Sequence, residues 1–275
     1  MAESADRETE TAGRLKQNDR QAAITELILS EGTLRIDQIV SHFGVSRMTI
    51  HRDLEVLEQR GILRRTHGSV SALASSLFES NIEFRVRQNV AAKEAIARRA
   101  LEMIDTGNSI ILDDSTTGLA LARHLPSRGP VTLITNFQRA INELSTAQDV
   151  SLIALGGEFL QPVDAFCGSV TLAGLANLSA DIYFLSSPAI FGTTCYHQNS
   201  DLVLVKQAML AAARKRVLIA DHTKFGKHAL HAVTDFSSLD AAIVDDRTPE
   251  GFTDALQRSG VEVHITSSRA LARRK

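Results

Sequence analysis

LRIDQIVSHFGVSRMTIHRDLEVLEQRGILRRTHGSVS, residues Leu34 to Ser71, reads as two helices joined by a tight turn and followed by a small hairpin. Ile36, Ile39, Val40 and Phe43 recur at helical spacing, which sets the first helix at about 36–43. Gly44 supplies permissive backbone for the turn, and Val45 plugs the angle between the helices. Ser46 is a natural N-cap, because its hydroxyl can accept the unpaired N–H groups of the next helix. Within that second helix Ile50, Leu54 and Leu57 fall at i, i+4, i+7 and must face inward. The opposite face then displays Arg47, Met48, Thr49, His51, Arg52 and Glu55. Gly61 ends the helix, Gly68 turns a two-stranded wing, and Arg64, Arg65 and His67 lie on or beside that wing.

A short helix with polar and basic side chains at its N-terminal end suits the major groove, and cations on a wing suit the phosphate backbone. The expected contacts to double-stranded DNA are Ser46, Arg47, Met48, Thr49, His51, Arg52, Arg64, Arg65 and His67. From Arg47 to His67 five arginines stand against Asp53, Glu55 and Glu58, an excess that a symmetric dimer would double. The competing reading is a helix pair that merely packs, its charges solvated.

Composition frames the rest. At about 150 residues per domain, 275 residues set a prior of two domains. A hydrophobic share of 44% and a mean hydropathy of -0.03 are enough for a sizeable core. Thirty basic and 32 acidic residues give a net charge of -2, so nucleic-acid affinity must come from a local patch. Cys167 and Cys195 are too few for a disulfide framework or a four-cysteine zinc site, and neither a metal nor a cofactor is expected. No run approaches the length of a membrane span, and the acidic first dozen residues lack the apolar centre of a signal peptide. The expectation is a soluble, cytoplasmic protein without a membrane partner.

Five segments are expected: a disordered acidic arm over 1–17, a winged helix-turn-helix over 18–73, a linker helix region over 74–92, an α/β domain over 93–266 that binds an effector and oligomerises, and a basic tail over 267–275. One long helical pattern covers about 79–104. Beyond it, apolar runs of strand length recur at Ser109–Leu112, Val131–Ile134, Val150–Leu155, Ile182–Leu185, Val217–Ala220, Ala241–Val244 and Val261–Ile265. Helical stretches separate most of them, which predicts a mostly parallel sheet covered on both faces.

Ligands of such sheets gather at the carboxyl ends of strands. Asp113 closes one strand, Ser115, Thr116 and Thr117 form a hydroxyl-rich turn, and a helix follows, so free N–H groups and hydroxyls can cradle an anion there. Thr135 and Asn136 occupy the same position one unit later. Lys206 and Lys224 offer positive charge to a phosphate. The bland readings are a plain helix cap for Thr116 and Thr117, a plain turn for Gly156-Gly157, a solvated surface charge for Lys206 and an ordinary loop histidine for His222. Neither G-x-S-x-G, H-E-x-x-H nor a complete phosphate-binding loop is present, so no catalytic residue is expected.

The string Val45-Ser46-Arg47-Met48-Thr49-Ile50-His51-Arg52-Asp53-Leu54, with Leu57, Gly61-Ile62-Leu63-Arg64-Arg65 and His67-Gly68, resembles the winged helix-turn-helix of the DeoR family of transcriptional regulators. The resemblance extends over roughly 20–246 through Arg85, Asn89 and Lys93, the turn from Ile111 to Thr117, Thr135-Asn136, Gly156-Gly157, Lys206 and Asp221-His222-Thr223-Lys224-Phe225-Gly226. It implies a sensor domain related to ribose-phosphate isomerase and coenzyme A transferase, which binds a phosphorylated sugar or related metabolite. The implied protein is a homo-oligomeric repressor, dimer or tetramer, of carbohydrate-catabolic genes. The implied effector contacts are Asp113, Ser115, Thr116, Thr117, Thr135, Asn136, Lys206 and Lys224. Departures at His51 and Ser69 lie in the DNA reader, where the first implies an altered operator preference or a weaker phosphate contact, and departures at Asp114 and Ser186-Ser187-Pro188 imply a remodelled effector pocket. The rival class is a sugar-phosphate isomerase-like or coenzyme A transferase-like enzyme with an appended DNA-binding-like domain; a third is a constitutive DNA-binding protein whose second domain only dimerises.

Overall fold

Ile24, Ile28, Leu34, Ile36, Ile39, Ile50, Leu54, Leu57, Leu63 and Val70 form one buried apolar cluster, and three helices and three strands are arranged around it. The elements are α1 (Gln17–Glu31), β1 (Thr33–Arg35), α2 (Ile36–Phe43), α3 (Arg47–Gln59), β2 (Leu63–Thr66) and β3 (Ser69–Ala72). This computed structural model describes residues 17–31, 33–59, 63–66, 68–72 and 82–267. The expectations for the arm before Gln17, for Gly61, for His67, for residues 73–81 and for the tail beyond Ser267 lie outside the described residues.

The turn between α2 and α3 forms as its residues dictate. Gly44 ends α2 with φ +60, a conformation that costs a residue with a Cβ, and its N–H donates to Val40 O. Val45 packs against the cluster. Ser46 Oγ accepts from Thr49 N at 3.1 Å and so caps α3. Gly68, at φ +82, turns β2 into β3, and β1 adds to the far side of β3, making the wing a three-stranded sheet rather than the expected two.

The chain divides into two compact units, Met1–Phe84 and Arg85–Lys275. The second is built on β4 (Ser109–Leu112), β5 (Val131–Thr135), β6 (Val150–Ala154), β9 (Ala180–Leu185), β12 (Ala213–Ala220), β14 (Ala241–Asp245) and β15 (Glu262–Thr266). These seven strands are all parallel, in the order β15-β14-β12-β9-β4-β5-β6. The inner strands are buried along nearly their whole length, as expected of a sheet covered on both faces. Helices α5 (Val90–Leu101), α6 (Thr116–Ala122), α7 (Gln138–Leu144), α8 (Gly168–Leu175), α9 (Ser200–Ala212) and α10 (Glu250–Arg258) complete it.

The sequence pattern does not foresee the short strands. β7 (Glu158–Leu160) and β8 (Ala165–Cys167) form a hairpin, while β10 (Ala189–Phe191), β11 (Thr194–His197) and β13 (His231–Asp235) form an antiparallel sheet of their own. The long helix expected over 79–104 is two helices, α4 (Ile82–Arg87) and α5. They are separated at Asn89, which has the left-handed φ of 50 and directs its amide to Asp221 Oδ1 at 3.0 Å and Thr223 Oγ1 at 3.2 Å. Both cysteines are free thiols buried in the core.

Candidate functional site

From β4 the sheet grows in one direction through β5 and β6 and in the other through β9, β12, β14 and β15. The connections diverge at β4 and β9, the position beyond whose strand ends open α/β sheets commonly bind ligands. Asp113, Asp114 and Ser115 follow β4, Ser186 and Ser187 follow β9, Asp221 follows β12, and all are buried.

Lys206, from the middle of α9, is the hub. It is 2% exposed, so the reading of a solvated surface charge is overturned. Its Nζ lies 2.7 Å from Asp113 Oδ2, 3.0 Å from Asp114 Oδ1 and 3.2 Å from Ser186 O. Asp113 Oδ2 also accepts from Tyr183 Oη at 2.9 Å and Ser186 N at 3.0 Å. Burial alone would push the Asp114 carboxyl up, but Lys206 and Arg85 outweigh it and hold it well below the ordinary range. Burial likewise works against charge on Lys206, yet Asp113 and Asp114 leave its pKa raised. The Tyr183 hydroxyl, buried beside Asp113, stays a phenol.

A second cluster gathers at the end of β12. Asp221 Oδ1 accepts from Asn89 Nδ2, from Thr223 N at 3.0 Å and from the Thr223 hydroxyl. Lys93 donates to the Arg85 carbonyl, and burial together with the nearby Lys224 pushes its pKa down to about 7 despite Asp221. Burial raises the Asp221 carboxyl, but Lys224, the Thr223 hydrogen bonds and Lys93 leave it lowered. Arg85, Asn89 and Lys93 converge here although the helix breaks between them, so a helical face is not what aligns them. His222, set aside on sequence, has its backbone N–H on Asp245 Oδ1 at 2.6 Å and Nδ1 2.7 Å from Asp245 Oδ2. The fully buried Asp245 thus fixes the orientation of that ring.

Other expected residues are engaged locally. Ser115 Oγ caps α6 by accepting from Gly118 N at 2.8 Å, which occupies one of the N–H groups expected to cradle an anion. Thr116 Oγ1 donates to the Arg85 carbonyl at 3.4 Å, and Thr117 is buried beside it. Thr135 Oγ1 accepts from Phe137 N at 3.1 Å, and Asn136 joins Phe166 of β8 through both its amide and its backbone carbonyl. Gly157 serves packing: at φ +146, an added Cβ would meet Cys167 O at 2.4 Å.

In the winged helix, Arg47, Met48 and Arg52 project from α3 into solvent, while His51 and Thr49 are half-buried. Met48 is 65% exposed. Arg47 lies 3.3 Å from Asp37 in an exposed pair. Arg64 is exposed on β2. Arg65 is tied to Glu58 at 2.6 Å, which fastens the wing to the end of α3. Asp53 points the other way from Arg52. It is 1% exposed and receives Arg20 Nε at 2.6 Å and Gln21 Nε2 at 3.0 Å, both from α1. Sequence reading missed this anchor, because its partners lie more than thirty residues upstream.

Comparison with known proteins agrees with both halves. The DeoR-like helix-turn-helix domain matches residues 20–76, and the DeoR C terminal sensor domain matches residues 88–246. The glycerol-3-phosphate regulon repressor of Escherichia coli (strain K12) is 29% identical over 256 residues, 91% of this chain and 100% of that one. Transcriptional repressor AccR of Agrobacterium fabrum is 30% identical over 233 residues, 84% of this chain and 90% of that one. Among solved structures, ribose 5-phosphate isomerase A from Neisseria gonorrhoeae aligns over 50% of this chain and 53% of its own, with 14% identity and a TM-score of 0.37. The relatives of like length are transcriptional repressors, not enzymes. With the sensor model spanning more than half of its length and the helix-turn-helix model covering α1 to β3, the chain belongs to the DeoR family of DNA-binding transcriptional regulators.

Proposed function

We propose that this regulator is a cytoplasmic repressor of carbohydrate-catabolic genes whose operator affinity falls when a phosphorylated sugar or related metabolite binds beyond β4, β5, β9 and β12. Residues 18–73 read double-stranded operator DNA. Arg47, Met48, Thr49, His51 and Arg52 meet the groove behind the Ser46 cap, while Arg64, Arg65 and His67 meet the backbone. Residues 93–266 bind the effector and join copies of the chain into a dimer or tetramer. Effector binding acts by favouring an arrangement with poorer operator affinity, which requires different affinities for the two states. The observation that carries this reading is the buried cluster of opposite charges at the switch point of the sheet, in a chain that also exposes a basic, Met48-tipped helix. Asp113 accepts sugar hydroxyls, Lys224 takes the phosphate, Ser115, Thr116, Thr117, Thr135 and Asn136 shape the turns, and Lys206 orders the carboxylates from behind.

Fluorescence anisotropy on DNA from upstream of the gene, with random competitor and a panel of sugar phosphates, tests this. Specific binding released by one compound is expected; specific binding that no compound shifts would refute the sensor half. Lys224→Ala is expected to leave operator affinity unchanged while moving the effector dose curve at least about tenfold to higher concentration. An unaltered curve would remove Lys224 from the site.

A pH dependence follows from Lys93. Its pKa of about 7 in the free protein is raised when an anion binds beside it, so binding is strongest where Lys93 is already charged. Effector affinity is expected to fall as pH rises above 7, and Lys93→Arg, which stays charged, should flatten the profile. Equal slopes in the two proteins would show that Lys93 does not titrate with binding.

A further inference from the structure

The seven-stranded sheet has two edges, and they are guarded differently. At one, β15 carries Glu262, whose side chain is 64% exposed, together with His264. Charged side chains on an edge strand discourage another strand from adding to it. β6, at the other edge, has no strand on its outer side among the described residues. From Val150 to Gly157 the chain holds neither a charged residue nor a proline. Ser151, Ile153 and Ala154 are exposed there, and Ser151 and Ile153 share one face of the sheet. An uncharged edge left open in this way is a hazard in a solitary subunit, because it templates pairing with another strand.

The ladder fixes which backbone groups this edge offers. Val131 N donates to Asp149 O and Leu155 N donates to Thr135 O, so the odd-numbered residues of β6 turn their N–H and C=O towards β5. Those of Val150, Leu152 and Ala154 point the other way. Only another strand matches such a row of alternating donors and acceptors in full. β6 is its own complement. Paired antiparallel about a two-fold axis at Leu152, Val150 meets Ala154 of the partner subunit and Leu152 meets its own counterpart, so every outward N–H finds a C=O. Ser151 then falls opposite Ile153 of the partner subunit on the exposed face, and Asp149 opposite Leu155, so no like charges meet. A pairing of this kind is isologous and closes at two copies.

We propose that β6 is an interface between two copies of this chain, in which the two β6 strands pair antiparallel and join two seven-stranded sheets into one. This deepens the oligomer proposed above and rests on it. The occupant of the edge is a second copy because the uncharged strand fits itself in register, in charge and in backbone hydrogen bonding at once. An extended peptide from another protein would satisfy the same backbone groups, and in that case the purified chain alone leaves the edge open.

Sedimentation velocity on the full chain, with two variants at the same concentration, tests the pairing. Ile153→Lys replaces an exposed side chain and brings two ammonium-bearing residues within about 8 Å of each other across the axis. Ala154→Pro deletes an outward N–H and leaves the ladder to β5 intact. Each variant is expected to keep the wild-type circular dichroism and to halve the mass of the particle, from dimer to monomer or from tetramer to dimer. If one of them folds poorly, the other decides. A folded variant with the wild-type mass overturns the β6 interface while the oligomer stands, whereas a monomeric wild type overturns the oligomer itself and the interface with it. Hydrogen exchange read by mass spectrometry supplies a measurement that needs no fold comparison. The Leu152 and Ala154 amides are expected to exchange at least about tenfold more slowly in the wild type than in Ile153→Lys. Rapid exchange of both amides in the wild-type oligomer overturns the pairing.

Discussion

Lys206→Met is expected to lower the melting temperature of the α/β unit by on the order of 10 °C at pH 7, the largest single effect in the molecule. Removing the ammonium leaves Asp113 and Asp114 as neighbouring buried carboxylates with their shared cation gone. Breaking a buried pair by deleting one partner costs roughly 3–5 kcal/mol, because the remaining charge keeps its desolvation penalty and loses its compensation. The pH dependence identifies the cause. Asp114 is depressed in the folded wild type, so its contribution is present above the unfolded carboxylate pKa and is lost as pH falls through the folded one. In the variant the uncompensated Asp114 takes up its proton at higher pH instead, so the gap between variant and wild type narrows as pH is lowered from 7 towards 4. Scanning fluorimetry across that range measures it. Adding Asp114→Asn to Lys206→Met should recover part of the loss, since one buried charge is then gone. A melting temperature unchanged by Lys206→Met would mean that this pair contributes nothing to stability.

Asp53→Ala and Arg52→Ala are adjacent substitutions with opposite consequences. Asp53 faces inward and holds Arg20 and Gln21 of α1, so its loss removes the buried carboxylate from a guanidinium that is only 11% exposed. The winged helix should lose roughly 3 kcal/mol, melt separately from the α/β unit, and bind every DNA sequence more weakly. Arg52 faces solvent, and its removal should leave the melting curve in place. Operator affinity should fall by 1–3 kcal/mol, about 5- to 150-fold, with non-specific binding much less affected. Circular dichroism and anisotropy on operator and random DNA separate the two. If Arg52→Ala weakens both DNAs equally, Arg52 is a phosphate contact and not a base reader.

What sequence reading caught and what it missed follow from the range of the interactions. Ile50, Leu54 and Leu57 announce the buried face of α3 because helical periodicity is local, and all three are within 2% of full burial. The seven parallel strands announce themselves because both faces are covered, leaving near-continuous apolar runs such as Ser109–Leu112 and Ala241–Asp245. The three- and four-residue strands carry no such run, and Thr194–His197 is recognisable as β11 only through its pairing with β10 and β13. The turn after β4 stands out in the sequence as a candidate site, but the internal pairing that occupies it does not. Lys206 reaches Asp113 across 93 residues of sequence, and no local pattern reports that contact. Nor does helical spacing reveal the break at Asn89, because the partners that favour it, Asp221 and Thr223, lie more than 130 residues on.

That break has a mechanical meaning. A residue other than glycine in the left-handed region carries a cost on the order of 1 kcal/mol, and here two side-chain hydrogen bonds to the β12 turn offset it. The bend between α4 and α5 is therefore held in place from the β12 turn, by Asp221 and Thr223. Asp221, at the end of a central strand of the sheet, thus sets the path of the backbone more than 130 residues away from it in sequence.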